Sequence, residues 1–298
     1  MGARAADRGH GRIAAAVLGL TGLVLGGGVL SGCTKVDLPS SSGTSPGGPA
    51  TSGSPAGGSQ SGGPVSPAPG TPSSSGKPVP GGVLKLVGGH DIDVLDFTTS
   101  STPTQSLLHG LSRQLVSYAP SSQFSDVVGR VVPDAATDVP LPVDGTIYTF
   151  TLRAGVAWDL TPSRAVTSSD FARGIKRQCN PVAGGVYASY FTEVIAGLAE
   201  FCAGFSALTA KATANQISAY METHVVAGLA TPDDRTLVVT LKAPAADFLN
   251  MMALTAASAV PVESMAYLPG SPAFRANFVS DGPYKVGVPL NGATMTLV

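Results

Sequence analysis

The sequence predicts a mixed α/β or α+β fold, and three observations predict it. Ile147-Tyr148-Thr149-Phe150-Thr151-Leu152 alternates apolar and polar residues, the period of a strand with one buried face. Thr236-Leu237-Val238-Val239-Thr240-Leu241 is a second strand, rich in β-branched residues and preceded by a Pro232-Asp233-Asp234 turn. Two segments carry helix-start chemistry followed by apolar residues at helical spacing. These are Thr102-Pro103-Thr104-Gln105 and Thr167-Ser168-Ser169-Asp170. Strands and helices are mixed without the regular alternation of a βαβ repeat.

The elements follow in order. Residues 1–12 hold Arg4, Arg8 and Arg12 against one acid, Asp7. Ile13 to Leu30 is uncharged and rich in Ala, Leu, Val and Gly. A basic stretch followed by an apolar one is the layout of a secretory leader. A permanent membrane helix is the competing reading, weakened by five glycines in a run barely long enough to span. Leu30-Ser31-Gly32-Cys33 favours the leader. An apolar residue and two small ones before Cys resemble a bacterial lipobox, in which the Cys33 thiol takes a diacylglycerol and becomes the new N-terminus. Residues 34–81 are nearly all Ser, Gly, Pro, Thr and Ala. Such a stretch buries too little apolar surface to offset its ordering entropy. It predicts a tether averaging roughly 40 Å end to end.

Val83-Leu84-Lys85-Leu86-Val87 predicts the first strand of the folded region. Leu107, Leu108, Leu111 and Leu115 place a core face on the helix opened by Thr102. Val143-Asp144-Gly145-Thr146 is a turn before the strand at 147. Phe171 and Ile175 are the buried side of the second capped helix. Asn215 to Thr223 predicts a helix with Ile217, Tyr220 and Met221 inward, and Ala245 to Leu254 another. Tyr284 to Val288 and Thr294 to Val298 predict closing strands. Val298 falls inside a strand pattern with no turn or cap after it, so the expectation is an incomplete chain; a short natural terminal strand is the alternative.

Composition narrows the function. The net charge is −1, which gives no reason to expect nucleic acid as partner. The charged fraction of 12% is low against about 25% for an ordinary domain, partly because of the first 80 residues. Apart from Cys33 there is one cysteine pair, Cys179 and Cys202. An even pair in an exported domain predicts a disulfide, with two buried thiols as the alternative. Neither a Cys-x-x-Cys pair nor a histidine cluster suggests a metal, so no metal and no cofactor are expected. His90, His109 and His224 are scattered and read as structural or solvated. Asp91, Asp93 and Asp96 read as solvated loop acids rather than a cation site. Trp158, the single tryptophan, reads as core rather than as a platform for a ligand. The folded region from residue 82 onward contains no G-x-S-x-G elbow and no H-E-x-x-H, so an enzyme is not expected.

Several strings together resemble one family. Tyr148-Thr149-Phe150-Thr151-Leu152-Arg153-Ala154-Gly155-Val156-Ala157-Trp158 is similar to the Y-T-F-x-L-R-x-G-V-x-[WF] pattern of the family 5 (oligopeptide/dipeptide/nickel) solute-binding proteins. Val166-Thr167-Ser168-Ser169-Asp170-Phe171 resembles its V-T-A-x-D-F helix start, continued by Lys176-Arg177. Asp233 to Leu241, Pro244 and Phe248-Leu249 resemble its D-D-x-T-L-x-V-T-L…P…F-L segment. Pro261-Val262 and Asp281-Gly282-Pro283-Tyr284 complete the set. The resemblance runs from about residue 82 to the end, and its cysteine pair looks like an actinobacterial variant. Ala154 stands where the family usually has an acid, Asp159 to Arg164 replaces its D-G-T-P turn, and Leu95-Asp96-Phe97 replaces L-D-P.

The resemblance implies a periplasmic-binding-protein-like fold of type II, in the three-domain oligopeptide-binding class, with the second lobe missing. It implies an incomplete first-lobe domain from residues 82–116 and 223–298, with a small subdomain, 117–222, inserted. Two lobes close on the solute about a hinge, and an extended peptide pairs with exposed strand edges. Ser100, Ser101 and Thr102 are the implied backbone contacts; the competing role is a helix cap alone. Tyr187, in Val186-Tyr187-Ala188-Ser189-Tyr190-Phe191, is the implied ring against the ligand; the alternative is a surface aromatic. The implied protein is a monomer on the extracytoplasmic face of the cell membrane, anchored by lipid, capturing oligopeptides for the permease subunits of an ABC importer. The alternatives are a truncated accessory or non-functional lipoprotein, or a binding protein for a nickel chelate, haem or a sugar.

Overall fold

The computed structural model describes residues 81, 83, 85, 95–99, 102–119, 130–291 and 294–298. The leader, Cys33, the tether, His90, Asp91, Asp93, Ser100 and Ser101 lie outside the described residues, as does most of the strand expected at 83–87; Val83 and Lys85 belong to no helix or strand. From Pro80 onward the chain forms one compact unit.

The elements run α1 (Thr102–Leu111), β1 (Val116–Tyr118), β2 (Val131–Pro133), β3 (Ile147–Thr151), α2 (Ser168–Arg177), α3 (Ala188–Val194), α4 (Leu198–Ser206), α5 (Ala214–Thr223), β4 (Leu229–Asp233), β5 (Thr236–Thr240), α6 (Phe248–Met252), α7 (Pro272–Ala276), β6 (Val286–Asn291) and β7 (Thr294–Leu297). Short 3-10 turns at Thr255–Ala257 and Val262–Ala266 follow α6. Three antiparallel sheets result: β1-β2, β3-β5-β4 and β6-β7.

The central sheet is set by the alternation seen in the sequence. Tyr148 and Phe150 are the buried residues of β3, and they lie opposite Val239 and Leu237, the buried residues of β5. The pairing takes β3 from the segment expected as an inserted subdomain and β4 and β5 from the segment expected as first lobe. The turn into β3 needs left-handed backbone at Asp144 (φ 51°) and Gly145 (φ 74°), which Asp tolerates and Gly adopts without penalty.

Helix α2 packs against β4, β5, α4, α5 and the 255–257 turn, so it is buried on nearly every side. Its backbone approaches the 258 segment so closely that a Cβ on Gly174 would run into the Ser258 carbonyl oxygen. Burial extends to the polar stripe Asp170, Arg173 and Arg177, which helical spacing puts on one face. Each member is paired. Asp170 accepts from Trp158 Nε1 at 3.0 Å and Arg164 Nη1 at 2.7 Å, and from the Thr167 N–H that precedes the helix at 3.1 Å. Arg173 reaches Asp170 at 2.7 Å, Glu222 at 2.7 Å and the Val260 carbonyl at 2.9 Å.

The main core is built on β3, β5 and α2, with Phe150, Phe171, Phe191, Phe205, Phe248 and Trp158 fully or almost fully buried. Trp158 is therefore core, as expected. Helix α5 opens with a reciprocal cap: Gln216 N–H donates to Thr213 Oγ1 at 3.3 Å and Thr213 N–H to Gln216 Oε1 at 2.9 Å. A second, smaller cluster gathers Leu95, Phe97, Leu108 and Leu111, with Phe278 and Val286 against it. Cys179 and Cys202 are disulfide-bonded, tying the end of α2 to α4.

Two helices are shorter than their patterns predict. Helix α1 stops at Leu111, yet Leu115 is buried as the chain enters β1. Helix α6 covers 248–252 rather than 245–254, because the chain turns into 3-10 geometry at Thr255.

Candidate functional site

The candidate site forms where the segment after Leu95 meets the loop after α2. Asp96 corrects the sequence reading most sharply. It is not a solvated loop acid but is fully buried. Its Oδ1 accepts from Arg177 Nη1 at 2.7 Å, and its Oδ2 from Arg177 Nη2 at 2.5 Å. An unpaired buried carboxylate would cost several kcal/mol, and the bidentate guanidinium is what makes its burial tolerable. Oδ1 also accepts from the Thr98 N–H at 3.0 Å and the Thr98 hydroxyl at 2.8 Å, curling residues 96–98 into a turn.

That turn precedes the predicted ligand contacts in the chain. The Thr98 carbonyl accepts from Val186 N–H at 3.1 Å. The residue two positions before Ser100 is thus bonded to the residue immediately before Tyr187. Thr102 is the first residue of α1, and the cap role proposed for it concerns a side chain outside the described set. Tyr187 directly precedes α3 and is half-buried, its ring packed against the main core.

Tyr118, at the end of β1, is a residue the sequence did not single out. It is 38% exposed, and its hydroxyl donates to the Asn250 carbonyl at 3.3 Å. Burial, with the neighbouring Tyr187, pushes its phenol above the ordinary value. Val186, next to Tyr187 in the chain, is 53% exposed. Two tyrosines and a valine beside a turn of backbone can hold a ligand by ring contact and main-chain hydrogen bonding. No signal in the sequence marks Tyr118, since a three-residue strand has too little periodicity to read.

The described residues contain no group of three or more His, Cys, Asp or Glu able to hold a metal. A cavity of about 480 Å³ lies beside Leu95, Phe278 and Val286 in the second cluster and is not lined by Tyr187.

Residues 130–297 match the family described as bacterial extracellular solute-binding proteins, family 5 Middle. The match covers more than half of the chain, and the chain belongs to that family. Among solved structures, it is similar to clavulanic acid biosynthesis oligopeptide binding protein 2, at 25% identity and a TM-score of 0.54 over 70% of this chain and 34% of that one. A periplasmic oligopeptide-binding protein from Borrelia burgdorferi matches at 21% identity and a TM-score of 0.52, over 67% of this chain and 35% of that one. The substrate-binding domain of an oligopeptide ABC transporter from Bacillus anthracis matches at 19% identity and a TM-score of 0.54, over 71% and 36%. The last two show shared fold alone. The fold is that of the type II periplasmic binding proteins of the oligopeptide-binding class, of which this chain covers part. It spans about a third of the length of these structures. No curated protein sequence matches it. Among the described residues, no helix is long and apolar enough to cross a membrane.

Proposed function

We propose that this chain serves as the capturing component of an ABC importer for short oligopeptides, binding its solute rather than converting it. The observation that carries the reading is the hydrogen bond from Val186 N–H to the Thr98 carbonyl, set in a chain of family 5 membership. It ties Thr98, two residues before Ser100, to Val186, the neighbour of Tyr187. In this reading the backbone at 100–102 pairs with the peptide main chain, and the rings of Tyr187 and Tyr118 lie along it. Main-chain pairing gives affinity that depends little on peptide sequence.

The leader of residues 1–33 exports the protein, and a lipid on Cys33 holds it at the extracytoplasmic face of the cell membrane, where permease subunits receive the peptide. The test is calorimetry on the complete protein with pentaalanine and trilysine. Saturable binding supports the reading. Binding of an oligosaccharide or a metal chelate, with none of either peptide, overturns it. Replacing Cys33 by Ser should release the protein to the medium, and continued membrane retention would refute the anchor.

A further inference from the structure

Arg177 and the loop after it close a circuit of directional contacts around the candidate site. Arg177 ends α2 with its side chain 2% exposed, and grips both carboxylate oxygens of Asp96. Asp96 holds Thr98 by backbone and hydroxyl. The Thr98 carbonyl takes the Val186 N–H, and Gly185 N–H returns to the Gln178 carbonyl at 2.7 Å, one residue from Arg177. A Cβ on Gly185 would meet the Gln178 side-chain amide, which would have to move. The circuit spans 81 residues of sequence between its two charged members.

Stability alone does not call for an ion pair at this place. Taking two charges out of water is costly, and well-packed apolar residues of similar volume usually stabilise a fold as well or better. What an apolar pair lacks is a fixed distance and angle. A guanidinium fork on a carboxylate has a defined geometry, and the Phe274 ring centroid lies 5.0 Å from the Arg177 Cζ. The turn so fixed is bonded to Val186, the neighbour of Tyr187.

We propose that Arg177 and Asp96 are positioning residues for the bound peptide. They touch no ligand; they fix the 96–98 turn and, through the Thr98 carbonyl, its bond to Val186 beside Tyr187, so that binding does not have to order that turn. The inference rests on the peptide-capture reading above. Loss of this pre-organisation lowers affinity without removing any contact to the ligand.

The experiment compares three forms of the complete protein: wild type, Arg177→Lys, and the double variant Asp96→Leu with Arg177→Met. Each is titrated with pentaalanine and trilysine by calorimetry and melted without ligand. Lysine keeps the charge and loses the fork, and the double variant keeps the packing and loses both charges. The expected result is affinity for the bound peptide about tenfold weaker in Arg177→Lys and weaker still in the double variant, with the double variant melting at or above Arg177→Lys. Affinity and melting temperature then rank the variants in opposite orders, which a purely stabilising pair cannot produce. Wild-type affinity in the double variant overturns the proposal, as does affinity that falls only in step with melting temperature. If the double variant does not fold, wild-type affinity in Arg177→Lys overturns it. A wild-type protein that binds neither peptide removes the capture reading and this inference together, whereas a binding wild type with equally binding variants removes this inference alone.

Discussion

Raising the pH should destabilise the fold through Asp281. Its side chain is buried, with Oδ1 accepting from the Arg113 N–H at 3.1 Å and Oδ2 without a partner. The charged groups facing it are Arg113 and Asp134, and the Arg113 guanidinium is engaged by Asp134 at 2.7 Å rather than by Asp281. Burial above all, then the Asp134 charge, pushes the Asp281 carboxyl up to about 8, against the hydrogen bond from Arg113. In the unfolded chain the group loses its proton near the ordinary value of about 3.9. Between those two values the folded state holds one proton more than the unfolded state. The contribution is therefore complete below about pH 4 and is lost as pH rises through about 8. One proton corresponds to a slope of at most about 1.4 kcal/mol per pH unit. Entry of water or a small relaxation around Oδ2 reduces it, so the expected drop from about pH 5 to about pH 7 is about 1–3 kcal/mol. Denaturant titrations over that range on wild type and Asp281→Asn isolate the effect, because asparagine keeps the shape and cannot ionise. Stability of the wild type should fall relative to the variant. Parallel curves would show that Asp281 is already ionised in the fold, and the reasoning from burial would be refuted.

Further predictions follow from single contacts. Gly174→Ala should cost about 1–3 kcal/mol by chemical denaturation, because the new methyl meets the Ser258 carbonyl between two buried segments; an unchanged midpoint would contradict the close approach. Replacing both Cys179 and Cys202 by Ser should cost about 3 kcal/mol, from a closed loop with a sequence separation of 23; stability independent of reductant would argue against the bond. Tyr187→Ala should weaken peptide binding about tenfold with little change in melting temperature, since the ring is only half-buried. Equal calorimetric affinities would return Tyr187 to a surface role.

Much of the fold was legible because it is locally encoded. Strands β3 and β5 and helices α2 and α5 each carry a period and a start or turn residue of their own, and all four form where expected. Helices α3 and α4 were not legible. Residues 188–206 mix Ala, Gly and Ser with scattered aromatics, and they become helical through packing of Phe191, Leu198, Phe201 and Phe205 into the main core. The candidate contacts Tyr187 and residues 100–102 come only from resemblance, since no local pattern marks them. Asp96 was misplaced on the surface because an acid between apolar neighbours looks like a loop residue until its partner is known. The partner lies 81 residues away. One local hint existed: Arg177 falls on the same helical face as Asp170 and Arg173, beside the apolar face of Phe171 and Ile175, and a charge so placed on a buried helix needs an acid.

The placement of polar contacts follows from how the two apolar clusters meet. Phe97 and Leu108 belong to one cluster, and Phe171 and Ile175 to the other. Apolar packing is strong but non-directional, so two clusters pressed together could settle in several registers. At the meeting place the chain instead uses contacts that allow one register: the Asp96–Arg177 pair, and the hydrogen-bonded set of Ser112, Gln114 and Ser258. In that set Gln114 Nε2 donates to Ser112 Oγ and to Ser258 Oγ, both at 3.0 Å, while its Oε1 meets His109 Nδ1 at 2.9 Å. The residues that fix the register sit at the two ends of α1, one set before Thr102 and the other after Leu111. A helix held at both ends by directional bonds cannot slide along its apolar face.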